Sequence, residues 1–299
     1  MSSPLDETYG LWLIAFFLEC VLFGAGLLQT HLYFLWYPKD DWIVKATVLA
    51  VVLFETMQTV IFFAGIHFTL IEHFGDFANL AIISWHVGIQ LLFLYLTGFV
   101  AQAYYAQCLY RLHSRDKILP VIIFICTVLS FIAGIAQVVL IFDVGESTAS
   151  NRGHQVATNA QAALNFLTDL LITVGLSWRM NKNRSGIQST NKLINFLIIA
   201  AINRGVLTMV MAALALILNL AAPTTFWFHV ALILNGKFYM NSLLAMLNTR
   251  KYALGTSREV SMNTMGGAND TNNGFGRNLI TINHETRRDV DVEPGKFSL

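Results

Sequence analysis

Seven apolar stretches dominate the chain, and each is long enough to cross a membrane as a helix. Because a helix rises about 1.5 Å per residue, crossing the ~30 Å hydrocarbon core of a bilayer takes ~20 residues. The approximate predicted spans are 10–36, 43–67, 80–110, 118–142, 156–178, 193–221 and 226–248. Charged residues form 12% of the chain, against about 25% in ordinary soluble domains, which excludes a soluble fold. The predicted fold class is all-α: a polytopic membrane protein with seven transmembrane helices.

Basic residues are distributed unevenly among the predicted connections, and this sets the expected orientation. The N-terminus and the second, fourth and sixth connections contain one basic residue, Arg152. The other connections with their flanks, and the start of the C-terminal segment, carry Lys39, Lys45, Arg111, Arg115, Lys117, Arg179, Lys182, Arg184, Lys192, Arg250 and Lys251. Lysine and arginine are enriched on the cytoplasmic side of membrane proteins. We therefore expect the N-terminus outside and the C-terminus in the cytoplasm, with the plasma membrane as the first choice of location.

Composition divides the chain into three segments. Residues 1–9 form a short polar N-terminus that we expect outside, because it lacks the basic start of a cleaved signal peptide. Residues 10–252 form the seven-helix transmembrane domain. Residues 253–299 are rich in Ser, Asn, Thr and Gly without a sustained apolar pattern, so we expect a disordered cytoplasmic tail.

Five charged residues fall inside the predicted spans: Glu19, Glu55, Asp169, Arg204 and Lys237. A lysine that faces lipid near the midplane costs about 2.5–3.5 kcal/mol on insertion scales, so such residues usually face the interior of a bundle. We expect two ion pairs, Asp169 with Arg204 and Lys237 with Glu55. Glu19 is expected close to the second pair as a protonated acid.

The last span carries polar residues at helical spacing. Asn241, Leu244 and Asn248 follow Lys237 by 4, 7 and 11 residues, so the four share one stripe. This helix needs protein partners on that stripe, and in a compact ring it lies near the first and second helices. The candidate intramembrane polar network consists of Glu19, Glu55, Asp169, Arg204, Lys237 and Asn241. Two roles stay open for it: holding the bundle together, or forming a ligand or proton site.

Short motifs in a fixed order resemble those of a fungal membrane-protein family. They are the runs 237–250 (KFYMNSLLAMLNTR) and 33–40 (YFLWYPKD) with Lys45, residues 102–105 and 110–112, Asp169 before the basic fifth connection with Thr190, and 205–208 (GVLT). Together they are similar to basidiomycete integral membrane proteins whose C-terminal region is catalogued as a domain of unknown function (6534). The resemblance covers about residues 10–251 and implies seven helices without an established activity or ligand. Arg204 departs from the family pattern, which has a small or polar residue before the glycine.

Three functions are compatible with these features. The leading interpretation is a receptor-like protein, because seven spans and basic cytoplasmic connections are typical of receptors. Its expected partners are the lipid bilayer, a small apolar ligand and a cytoplasmic signalling protein. The third span ends at 109–112 (LYRL), however, without the acidic-Arg-aromatic triplet of the large receptor class. The alternatives are a transporter or proton pathway that uses the midplane charges, and a structural membrane protein with no ligand.

Other classes of protein lack their motifs here. No nucleophile elbow, phosphate-binding glycine loop or metal-ligand spacing occurs, so we expect no enzyme activity, no catalytic or metal site and no cofactor. The basic residues form short clusters beside the spans, which argues against nucleic-acid binding. A retinal protein could use Lys237, but the third predicted span has no acidic counter-ion.

Overall fold

The computed structural model describes residues 10–73, 85–112, 117–144, 152–182 and 233–250, together with 202, 205–208, 210–211 and 230. The regular elements in these ranges are helices: α1 (Leu11–Trp36), α2 (Trp42–His67), α3 (Trp85–Leu112), α4 (Ile118–Val144), α5 (Arg152–Lys182) and a helix over 233–250, here called the C-terminal helix. The predicted N-terminus 1–9, the tail 253–299 and most of the span 193–221 lie outside the described residues. The all-α prediction is confirmed for the described part of the chain.

Helices α1 to α5 are each long enough and apolar enough to cross a membrane. Each of them also exposes large apolar side chains, such as Phe17, Leu53, Trp85, Ile132 and Val174. Soluble monomers rarely expose extensive apolar surface, whereas helices in contact with lipid require it. These five helices identify the chain as a membrane protein.

The ends of α5 differ from their predicted positions. The helix covers 31 residues, Arg152–Lys182, whereas the predicted span is 156–178. Its additional residues are mostly polar, and they continue the helix beyond the apolar segment on which the prediction rests. α3 is described from Trp85, and its predicted start at residue 80 lies outside the described residues.

The helix of α2 continues where the sequence predicts a loop. Phe68–Glu72 form a π-helical turn directly after His67, and the backbone N–H of His73 donates to Phe68 O at 3.1 Å. Glu72 Oε1 lies 3.3 Å from His67 Nδ1. The loop prediction for these residues is wrong because an i→i+5 hydrogen bond and this side-chain contact extend the helix by one turn.

The C-terminal helix lies in the interior of the bundle. Consecutive helices from α1 to α5 contact each other, and α3 also contacts α5. None of the eighteen residues of the C-terminal helix is exposed. Met240, Leu243, Leu244 and Leu247 pack in one core cluster with side chains from all five other helices. A helix surrounded in this way is buried on every side rather than along one stripe.

Gly26 allows the C-terminal helix to approach α1 closely. A Cβ atom at this position would lie 2.5 Å from Met240 Cε, closer than van der Waals contact permits. A Cβ atom at Gly24 would have nothing within 4 Å. A side chain at position 26 would therefore require Met240 to shift, and glycine allows α1 and the C-terminal helix to pack without that shift.

Candidate functional site

Acceptors from α1 and α2 surround Lys237 of the C-terminal helix. Its Nζ atom lies 2.6 Å from Glu55 Oε2 and 2.9 Å from Glu19 Oε1. It also donates to Gln58 Oε1 at 3.3 Å and to the main-chain oxygen of Glu55 at 3.2 Å. All three charged side chains are 0% exposed. We call Glu19, Glu55 and Lys237 the ionic cluster, and it connects three helices.

The local sequence of α2 and of the C-terminal helix shapes this cluster. Gln58 and Thr59 follow Glu55 by three and four residues, so all three lie on one face of α2. The hydroxyl of Thr59 lies within hydrogen-bond distance of Glu19 Oε1 (3.1 Å) and of the main-chain oxygen of Glu55 (2.9 Å). A Cβ atom at Gly236 would lie 2.6 Å from Glu55 Oε1. A side chain at position 236 would therefore require the carboxylate of Glu55 to shift.

The ionic cluster contains two acids for one ammonium group. Glu19 Oε2 and Glu55 Oε1 are buried and have no hydrogen-bond partner among the described residues. Away from water, an unbalanced charge and an unsatisfied carboxylate oxygen are both costly. The arrangement therefore has the capacity to bind a small positive species.

The other polar residues of the Lys237 stripe bind α1. The side chain of Asn241 donates to Leu22 O at 2.9 Å and accepts from Gln29 Nε2 at 3.1 Å. Asn248 donates to Gln29 O at 2.8 Å. Asn241 therefore continues the ionic cluster along α1, on the stripe that its helical spacing predicts.

A second polar network lies on the opposite face of the C-terminal helix. The hydroxyl of Tyr239 donates to Asp169 Oδ2 at 2.5 Å, and Gln102 Nε2 donates to Asp169 Oδ1 at 3.1 Å. Asn165 Oδ1 accepts from Gln102 at 3.0 Å. We call these four residues the tyrosine network, which joins α3, α5 and the C-terminal helix. This network was not predicted from the sequence. The pair of Asp169 with Arg204 stays a prediction, because Arg204 lies outside the described residues. The sequence feature that could have indicated this network is the presence of two polar side chains, Gln102 and Tyr239, at interior positions of apolar spans.

The C-terminal helix ends in an ion pair with the turn between α1 and α2. Arg250 Nη2 lies 2.5 Å from Asp40 Oδ2, and its Nη1 lies 3.4 Å from Asp40 Oδ1. The guanidinium also lies 4.3 Å from the ring centre of Tyr37. Burial disfavours the charged form of Arg250, but the hydrogen bonds and charge of Asp40 raise its pKa above the usual value. This pair joins two motifs, 33–40 and 237–250, that are far apart in the sequence.

A small cavity lies near the start of α1, away from the ionic cluster. Its lining includes Trp12, Phe62, His86 and Gln90, and it does not include Lys237. Its volume of about 10 Å³ is close to the minimum for one water molecule. Gln90 Nε2 is buried without a hydrogen-bond partner among the described residues. This cavity has room for about one water but not for a ligand of drug size.

Comparison with known proteins gives no match among curated proteins and none among solved structures. A family model, described as a family of unknown function (DUF6534), matches residues 165–252. The matched range contains Lys237 and Arg250, whereas Glu55 and Asp40, which they contact, lie before it. The C-terminal part of the chain, which includes most of α5 and the whole C-terminal helix, is therefore similar to this family of unknown function.

Proposed function

We propose that the chain is a seven-span membrane protein with its N-terminus outside and its C-terminus in the cytoplasm. Helices α1 to α5 are five of the spans, and the stretches 193–221 and 226–248 supply the other two. Contacts between helix ends support this topology: Arg250 pairs with Asp40 in the α1–α2 turn, and Arg179 near the end of α5 donates to Leu109 O near the end of α3 at 2.9 Å. These ends carry the basic residues that favour the cytoplasmic side.

The assignment to a family rests on the sequence motifs described above. We propose that the protein belongs with the basidiomycete membrane proteins that its motifs resemble, and that it resides in the plasma membrane. The match at residues 165–252 supports the part of this assignment that concerns the C-terminal region. We also propose that the protein is not an enzyme, since its described polar clusters are buried rather than arranged around an accessible reactive group.

Within this architecture we propose a receptor-like function, in which a small apolar ligand changes the packing of the C-terminal helix. The observation that carries the proposal is that polar contacts hold this helix on opposite faces, with Lys237 bound to α1 and α2 and Tyr239 bound to α3 and α5. Packed interiors have discrete arrangements, so a ligand that prefers one of them shifts the whole helix. Arg250 on the same helix would carry the shift to its contact with Asp40, where a cytoplasmic protein could detect it.

Burial of the ionic cluster favours switching over transport. Lys237 contacts both Glu19 and Glu55, and all three side chains are 0% exposed, so they do not line a route for a solute in the described part of the chain. Charged residues of transporters usually face a water-filled cavity or a substrate path.

The experiment that tests the receptor function measures ligand-dependent coupling. The full-length chain in lipid nanodiscs is exposed to a collection of small apolar compounds, and thermal stability and association with heterotrimeric G proteins are measured. We expect at least one compound that raises the stability and changes the amount of associated G protein. Tyr239→Phe should alter this response, whereas Tyr110→Phe, at an exposed position of α3, should not. Absence of ligand-dependent association would refute the receptor function.

A proton pathway is the second candidate. The observation that favours it is the pair of unpartnered carboxylate oxygens, Glu19 Oε2 and Glu55 Oε1, inside the bundle. Reconstituted vesicles should then show proton flux driven by pH or voltage, and Lys237→Met should abolish it. Absence of flux removes this candidate. If ligand response is absent as well, a structural membrane protein with no ligand is the function that fits.

A further inference from the structure

The charge balance of the ionic cluster points to a bound proton. Glu19, Glu55 and Lys237 are each 0% exposed, and the two acids meet one lysine. With both acids ionised, two carboxylates and one ammonium group would leave a net charge of −1 away from water. Burying an uncompensated charge is so costly that groups in such sites change their protonation state instead. One added proton makes the cluster neutral.

The geometry of the cluster provides a place for this proton. Each acid has one oxygen near Lys237 Nζ, and its other oxygen, Oε2 of Glu19 or Oε1 of Glu55, has no partner among the described residues. Glu55 makes the shorter contact with Nζ, 2.6 Å against 2.9 Å for Glu19. Since ionised partners make the shorter hydrogen bonds, the shorter contact favours Glu55 as the carboxylate and Glu19 as the protonated acid.

The neighbouring side chains do not supply a compensating positive charge. Gln58 and Thr59 on α2 are neutral donors and acceptors. On α1, Cys20 is exposed, and Phe23 presents its ring at 5.3 Å from Lys237 Nζ. From α3, the apolar Leu94 approaches Gly236, the residue before Lys237, where its Cδ1 atom would lie 3.0 Å from an added Cβ atom. None of these groups is a cation, so a proton is what balances the charge within the described residues.

We propose that the ionic cluster is a proton-binding site, in which Glu19 holds one proton while Glu55 stays ionised against Lys237. The proton comes from the solvent and converts one carboxylate into a carboxylic acid, so no other reactant is needed. Its release leaves a second negative charge between α1 and the C-terminal helix, and protonation is therefore coupled to the packing of these helices. The site does not depend on the receptor function proposed above.

Infrared spectroscopy detects such a proton directly, because a carboxylic acid has a C=O stretching band that a carboxylate lacks. The full-length wild-type chain at neutral pH, in a maltoside detergent that has no ester or carboxyl group, should show this band. Glu19→Gln and Glu55→Gln should each remove it, since with one acid left the cluster is neutral without a proton. Asp169→Asn is the matched control: Asp169 is a buried acid of the tyrosine network, so the band should persist in that variant.

Lys237→Met should change the band in the opposite direction. Without the ammonium group, both acids need a proton to become neutral, so the band should grow. If this variant does not fold, the two glutamine variants decide alone, because each keeps the cluster neutral. A wild-type spectrum without the band, a band that survives in either glutamine variant, or a band that disappears in Asp169→Asn would overturn the proposal.

Discussion

Lys237→Met removes the only cation of the ionic cluster in the described part of the chain. The structure indicates how much free energy of unfolding this substitution should remove. Both acids that it contacts, at 2.6 and 2.9 Å, are 0% exposed, so water does not replace the lost partner. Breaking a buried ion pair by removing one partner costs about 3–5 kcal/mol, mainly because the remaining charge stays unpaired. We expect a loss of this size in the free energy of unfolding at neutral pH. The loss should shrink at acid pH, where a proton more readily neutralises Glu55, the acid that is left charged without Lys237.

Two comparison variants separate the effect of the charges from the effect of losing a lysine. The triple variant Glu19→Gln, Glu55→Gln, Lys237→Met has no charge in the cluster and should recover most of the stability. Replacing a complete buried ion pair by uncharged groups often changes the free energy of unfolding very little. Lys117→Met removes an exposed lysine whose Nζ lies 4.7 Å from the ring centre of Tyr110. This control should lose about 0.5–1 kcal/mol at most, the range of exposed cation–π contacts.

Reversible unfolding in mixed micelles, followed by tryptophan fluorescence, measures these free energies at neutral and acid pH. A loss in Lys237→Met no larger than that in Lys117→Met would refute the reasoning. It would show that Glu55 is neutral or hydrated in the folded protein. A triple variant that is less stable than Lys237→Met would refute it as well, because the remaining charges could not then be the source of the loss.

Two other substitutions test the packing of the C-terminal helix in the same unfolding assay. Gly26→Val should cost about 1–3 kcal/mol, because even its Cβ atom would lie 2.5 Å from Met240 Cε. Gly24→Val, with nothing within 4 Å, should cost less, and adding Met240→Ala to Gly26→Val should restore part of the loss. Tyr239→Phe removes a hydroxyl donor from the buried Asp169 and should cost about 1–3 kcal/mol. An unchanged unfolding free energy in Tyr239→Phe would contradict the tyrosine network.

The long helices could be predicted because the bilayer sets a direct requirement on apolar length. The predicted start of the fourth span at residue 118 coincides with the start of α4 at Ile118. The ends of α5 could not be predicted in the same way, since hydropathy marks the segment in hydrocarbon and not the end of the hydrogen-bonded helix. Polar residues such as Gln155 continue the helix beyond the apolar layer, because the hydrogen bonds of a helix lie within its own backbone and do not depend on apolar side chains.

The two polar networks differ in how far the sequence reveals them. A lysine in the interior of an apolar span needs an acid nearby, so Glu55 is the natural partner of Lys237, and the structure has the two in contact. Donors to Asp169 need not be charged: the hydroxyl of Tyr239 and the side-chain amide of Gln102 both donate to it. Reasoning from charged residues alone therefore finds the first network and misses the second.

The interior position of the C-terminal helix follows from two residues taken together. Lys237 and Tyr239 are two positions apart, and at 3.6 residues per turn their side chains point about 200° apart, to nearly opposite sides. Each contacts a buried acid, Lys237 through α1 and α2 and Tyr239 through α5. Lys237 alone is compatible with a peripheral helix that turns one face inward and the other towards lipid. A helix that needs polar partners on both sides has no face left for lipid, so other helices must surround it.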